Sequence, residues 1–348
     1  MRALSLAIIL AFPLFLGAAC TPGRSNLAAS DGGVWVSASD GEAWEQRSTI
    51  YKDRVSEKTI SEVNIARFVF SPADPRKLFA ISEKSGLWFS WNQGHFWDLV
   101  LPNTGVADIA IHPENPSRIY AAVGATVALS TDEGVTWKSV YTSDNPGILI
   151  TSVALRPGRT ATVYAATSIG DLLVSDDSGI SWRVHASLGT GTTLTRMQFH
   201  PQRDQTMYAL VSGRGLARSE DAGEHWSYFE EEFKPFAGAN DPRGYALVPS
   251  GIVYASRYGL LRSLNHGEDW TSLPLISGPR DANIYSVAVN QENPLEIFYG
   301  TTSTLYHSLD GGFNWIPRPL PTTRTATELA LYPGNSDMLF MGAGLSRR

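Results

Sequence analysis

The sequence predicts an all-β protein, folded as a single seven-bladed β-propeller of four-stranded blades. Three observations predict it. An octapeptide recurs seven times along the 348 residues, strand-like segments fill each interval, and the two ends of the repeating region are complementary halves of one unit. A period of about 40–50 residues with several short strands per repeat is the propeller signature.

The octapeptide reads Ser-x-(Asp/Asn/Ser)-x-Gly-x-x-Trp and occurs at 37–44, 90–97, 130–137, 175–182, 219–226, 263–270 and 308–315. Successive serines lie 53, 40, 45, 44, 44 and 45 residues apart. The third position is Asn92, Asp132, Asp177, Asp221, Asn265 or Asp310, with Ser39 in the degenerate first copy. Each copy reads as a hairpin turn. The third side chain accepts backbone N–H bonds across it, and the glycine takes a positive φ. The tryptophans (Trp44, Trp97, Trp137, Trp182, Trp226, Trp270 and Trp315) open the outgoing strand and fold back over the turn. These acids and tryptophans are therefore structural.

The residue three before each serine is always aliphatic: Val34, Leu87, Val127, Leu172, Leu216, Leu260 and Leu305. That is the buried face of a strand with period two. Two further strands precede it in each unit, at 65–70 and 78–81, 107–112 and 118–122, 151–155 and 163–166, and 196–199 and 207–210. The later units have them at 245–248 and 252–255, and at 285–289 and 297–299. The first unit has only its last two strands, at 33–37 and from 44 on. The final unit has only its first two, at 327–332 and 338–341. Joined, the halves make one blade and close the ring without a free edge.

Ahead of the ring, residues 1–19 read as an export signal, with Arg2 before a short apolar run. Cys20 is the only cysteine in the chain, and a small polar tether over 20–30 leads into the propeller at 31–348. The stretch 16–20 resembles a bacterial lipobox, which implies lipidation of Cys20 and attachment to a membrane of the cell envelope, outer or cytoplasmic. A net charge of -6 and the lack of any basic block argue against nucleic acid. Five of the seven histidines fall in octapeptide turns or His-Pro strand ends, and none stands at metal-ligand spacing. No metal or other cofactor is expected.

The octapeptides resemble the Asp boxes of the BNR propeller superfamily, over essentially the whole mature chain. The resemblance implies that ligands sit on the face opposite the boxes, at the loops joining strands 2 to 3 and at those between blades. Two inter-blade loops are long, at 47–63 and 227–244, and long propeller loops are more often functional than not. They and the neighbouring tips offer Arg54, Lys58, Arg214, Phe233, Phe236, Arg243, Arg257, Tyr258 and Arg280 as candidate binding residues.

Among similar proteins, sialidases carry an Arg-Ile-Pro motif absent here and have six blades. Xyloglucanases share the run at 115–121 but use two facing propellers, each supplying one catalytic Asp. Sortilin-like and photosystem II assembly-factor-like propellers hold a protein or peptide. With no catalytic residue readable, the chain is expected to be a monomeric, non-catalytic envelope lipoprotein that binds a protein, peptide or glycan. The alternative is a glycan-active enzyme, a glycoside hydrolase or sialidase-like protein with its site at the channel mouth.

Overall fold

The structure, a computed structural model, describes residues 30–50, 58–102, 105–278 and 280–345. The export signal, Cys20, all of the tether but Ser30, and Arg54 lie outside the described residues. What is described contains 28 strands and no helix. They form seven four-stranded antiparallel sheets arranged as the predicted propeller. Numbered along the chain, blades 1 to 6 start at Arg67, Val106, Ile150, Leu194, Pro242 and Ser286. Blade 7 combines Thr325–Tyr332 and Asn335–Gly344 with Gly33–Ser37 and Glu45–Gln46. Its closing register pairs Gly33 with Ala343 and Ser37 with Leu339.

The core lies between blades. All seven aliphatic residues three before the serines are 0% exposed. Tyr120, Tyr164, Tyr208, Tyr254 and Tyr299 recur on the second strands of blades 2 to 6 and are fully buried. Each seam thus buries a strip of aliphatic and aromatic surface, the dominant stabilising term of such a ring.

The octapeptide turns have the local geometry expected of them. In the copy at 175–182, Ser175 Oγ accepts the Gly179 N–H at 2.7 Å, and Asp177 Oδ1 accepts the Ser181 N–H at 2.9 Å. The degenerate copy does the same with Ser39 Oγ, which accepts the Ala43 N–H at 3.0 Å. A second role is not local. The residue before each glycine has a positive φ in every copy: Asp40, Gln93, Glu133, Ser178, Ala222, His266 and Gly311, from 53° to 78°. This left-handed step offers its carbonyl to the preceding blade. Arg47 bonds Gln93 O at 3.0 Å, Tyr120 bonds Ser178 O at 2.9 Å and Arg262 bonds Gly311 O at 2.7 Å. His185 and Arg318 reach Ala222 O and Asp40 O, and both Tyr208 and Arg218 reach His266 O. At the remaining seam, Lys77 Nζ bonds the Glu133 side chain at 2.7 Å. Every seam is stapled by a turn.

Candidate functional site

The face opposite these turns holds the starts of the innermost strands, which surround the central channel. Five of the seven strands carry a bulge near that end, at Val106/Asp108, Ile150/Ser152, Thr195/Gln198, Pro242/Gly244 and Ala326/Glu328. A bulge re-aims the side chain that follows it. Here it gathers polar groups into the throat of the channel.

Asp108 of blade 2 is 1% exposed and accepts four donors. Arg67 Nη1 of blade 1 and the Ile109 N–H reach Oδ1 at 2.5 and 2.9 Å, while Ser152 Oγ of blade 3 and the Val153 N–H reach Oδ2 at 2.5 and 3.3 Å. Ser152 Oγ in turn accepts the Met197 N–H of blade 4 at 2.9 Å. Arg196, at φ 51°, pairs with Glu328 of blade 7. Blades 4 and 7 are not neighbours in a ring of seven, so this ion pair spans the axis. Burial opposes the charge on Arg196, but the adjacent Glu328 outweighs it and raises the arginine's pKa. Tyr245 of blade 5 donates to Arg196 O at 2.5 Å, and burial raises its pKa, which keeps the phenol protonated. The throat is a hydrogen-bonded network that braces the ring across its centre, and Arg196 Nε is left in it as a buried donor without a partner. Sequence reading passed over its members. Charged residues near the starts of four innermost strands (Arg67, Asp108, Arg196 and Glu328) are the available signal.

The candidate binding residues are distributed unevenly. Phe233 is turned inward: it is 3% exposed, stacks on Tyr254 at 5.3 Å and meets Trp270 edge-on at 5.3 Å. A long loop needs an apolar anchor, and Phe229 and Phe233 supply it. Tyr254 completes the attachment by donating to Ala239 O at 2.5 Å. Arg214 lies over the Tyr228 ring at 3.6 Å and bonds Glu230 at 2.7 Å. Lys58 is exposed on the other long loop, where its carbonyl accepts the Ile50 N–H at 2.9 Å.

The other five come together above blade 5. Phe236 meets Tyr258 edge-on at 5.2 Å. Arg257 N–H bonds Asp241 O at 3.0 Å, and Arg280 N–H bonds Tyr258 O at 2.9 Å. Three loops are thereby laced to one another, bringing Arg243, Arg257 and Arg280 around an aromatic pair. Arg243 keeps Asp241 at 3.3 Å. The exposed side chains of Arg257 and Arg280 have no ion-pair partner among the described residues. The acidic run at 230–232 is partly neutralised by Arg214 on Glu230 and by Lys234 on Glu231, the latter at 2.5 Å.

Among the described residues one group offers metal-ligating atoms: Asp221, Glu224 and His225, within 4.8 Å of one another in an octapeptide turn. Asp221 is already engaged there by the His225 N–H and Nδ1 at 2.9 and 2.7 Å.

No protein-family model matches the chain, and no curated protein matches it. Among solved structures it is similar to a GH74 enzyme from Niastella koreensis, with 17% identity and a TM-score of 0.62. That match covers 81% of this chain and 52% of the other, so the chain spans about half the length of that enzyme. It is also similar to YCF48 bound to D1 peptide, with 14% identity and a TM-score of 0.63, over 82% of this chain and 94% of that one. YCF48 from Cyanidioschyzon merolae gives 14% identity and a TM-score of 0.62, over 81% and 96%. The class that fold and comparisons define is the seven-bladed propeller. Its neighbours include both glycoside hydrolases and a peptide-binding protein.

Proposed function

We propose that the chain is a non-catalytic scaffold, exported and lipid-anchored through Cys20, that holds an acidic segment of a protein or peptide against the loops of blade 5. The carrying observation is the pairing of two features on one face. The throat carboxylates are committed to arginines, whereas Arg257 and Arg280 stand exposed beside Phe236 and Tyr258 with no ion-pair partner among the described residues. Unpaired guanidiniums next to aromatic rings suit carboxylates carried on a partly apolar chain. The peptide-bound YCF48 neighbour supports this reading by fold.

A glycan-active enzyme remains the second reading, favoured by the likeness to the GH74 enzyme. The test is affinity capture from the native envelope with the full-length protein and an R257E/R280E variant. A reproducible partner should be retained by the native protein, be released by salt and be lost in the variant. Turnover of any member of a glycan panel, or a partner held equally by the variant, overturns the proposal.

A further inference from the structure

On the face that carries the octapeptide turns, four seams set an outer-strand residue or its close neighbour against the glycine of the next turn. Val100 meets Gly134, Val140 meets Gly179, Phe229 meets Gly267 and Leu273 meets Gly312. Between blades 3 and 4 the outer-strand neighbour of the turn glycine is His185, which lies beside Gly223 outside the nearer Leu172 and Met207. The His185 ring is tied to Ala222 O, and a cleft of about 570 Å³ opens beside it. Small-molecule sites usually measure roughly 300–1,000 Å³.

The floor of the cleft is made by the buried Thr162, Tyr164 and Val174. Above it stand three guanidiniums, of Arg156, Arg159 and Arg183, and three carboxylates, of Asp176, Asp221 and Glu224. Most are already engaged. Arg183 holds Asp176 at 3.1 Å, Arg156 bonds Asp204 O at 3.1 Å, and Asp221 belongs to its turn. One group of each sign is left: Arg159 from blade 3 and Glu224 from blade 4 are exposed, with no ion-pair partner among the described residues. A bare anion entering this cleft meets as many carboxylates as guanidiniums. A ligand with an ammonium and a carboxylate satisfies both walls. Groups on two different blades also favour charges at the two ends of a short chain over charges on one carbon.

We propose that this cleft binds a short zwitterion of dipeptide size, its carboxylate taken by Arg159 and its ammonium by Glu224. The test is an NMR titration of the full-length protein with glycylglycine, N-acetylglycylglycine and glycylglycinamide. Saturable shifts are expected for glycylglycine, near His185 and Gly223. Binding should weaken at least tenfold in R159Q and in E224Q, and for either derivative that lacks one charge. Both side chains are exposed, so the variants should melt as the native protein does, which separates lost binding from lost fold. No saturable shift in the millimolar range, binding unchanged in both variants, or an N-acetyl derivative that binds as well as the parent overturns the proposal.

Discussion

Replacing Asp108 by Asn tests whether the throat network holds the ring together. The side chain is 1% exposed and faces four donors, two on each oxygen. An amide of the same shape keeps one acceptor oxygen and turns the other position into a donor. Either orientation sets an N–H against a pair of donors and leaves Arg67 without its counter-charge. Removing one partner of a buried ion pair costs about 3–5 kcal/mol. For a ring of roughly 300 residues, that corresponds to a fall in Tm of about 5–8 °C. Urea unfolding and calorimetry of native and D108N protein measure it, with Glu292→Gln on an exposed loop as the control. A loss under about 1 kcal/mol would refute the reasoning, because a carboxylate that can be neutralised so cheaply is not holding four donors. That result would also return Asp108 to the set of available acids and strengthen the enzyme reading.

The seam staples should be separable from the core. Arg218→Ala removes bonds to His266 O at 3.0 Å and Glu268 at 2.6 Å, while Tyr208 still serves that carbonyl. A loss of about 1–2 kcal/mol in urea unfolding is expected. Gly267→Ala should be worse, at about 2–4 kcal/mol: its φ is 104°, and a Cβ would stand 2.6 Å from Phe229. Acid should loosen the turns. Asp177 is held down at about 2 by the Ser181 hydroxyl and N–H, and Asp310 at about 2 by the N–H and amide of Asn314. Depressed carboxylates stabilise the fold above their unfolded pKa near 4 and lose that contribution as pH falls through the folded value. The thermal midpoint should therefore drop between about pH 4 and pH 2, and a D177N/D310N variant should show a flatter decline. An identical slope in that variant would count against it.

Much of the fold could be read from the sequence, because a propeller repeats its instructions. Seven aliphatic residues at one offset from seven serines mark the third strands, and all seven are fully buried. The split last blade was legible for the same reason, as two half-units at the two ends. The seam staples were not. At six of the seven seams the acceptor is a backbone carbonyl, so the residues that present it (Asp40, Gln93, Ala222 and His266 among them) share a φ and no side-chain chemistry. In sequence Phe233 reads either as a contact residue or as an anchor packing its long loop onto the rim, and its seat against Tyr254 and Trp270 is that of an anchor. The bulges that aim Asp108 and Glu328 into the throat depend on hydrogen-bond register, which alternation alone does not reveal. Phe236, Arg243, Arg257, Tyr258 and Arg280 lie above the same blade, a proximity that loop length and residue chemistry do not specify.

The pairing of Gly33 with Ala343 places the two ends of the ring side by side in a single sheet. The covalent gap is then a mark of numbering more than of architecture. A short Gly/Ser link from 345 to 30, with the chain reopened in the exposed turn at 144–147, should give a circular permutant with the same seven blades. Such a protein would carry its terminal attachment point between blades 2 and 3, so any surface or tag fixed to that end would view the propeller from a new side.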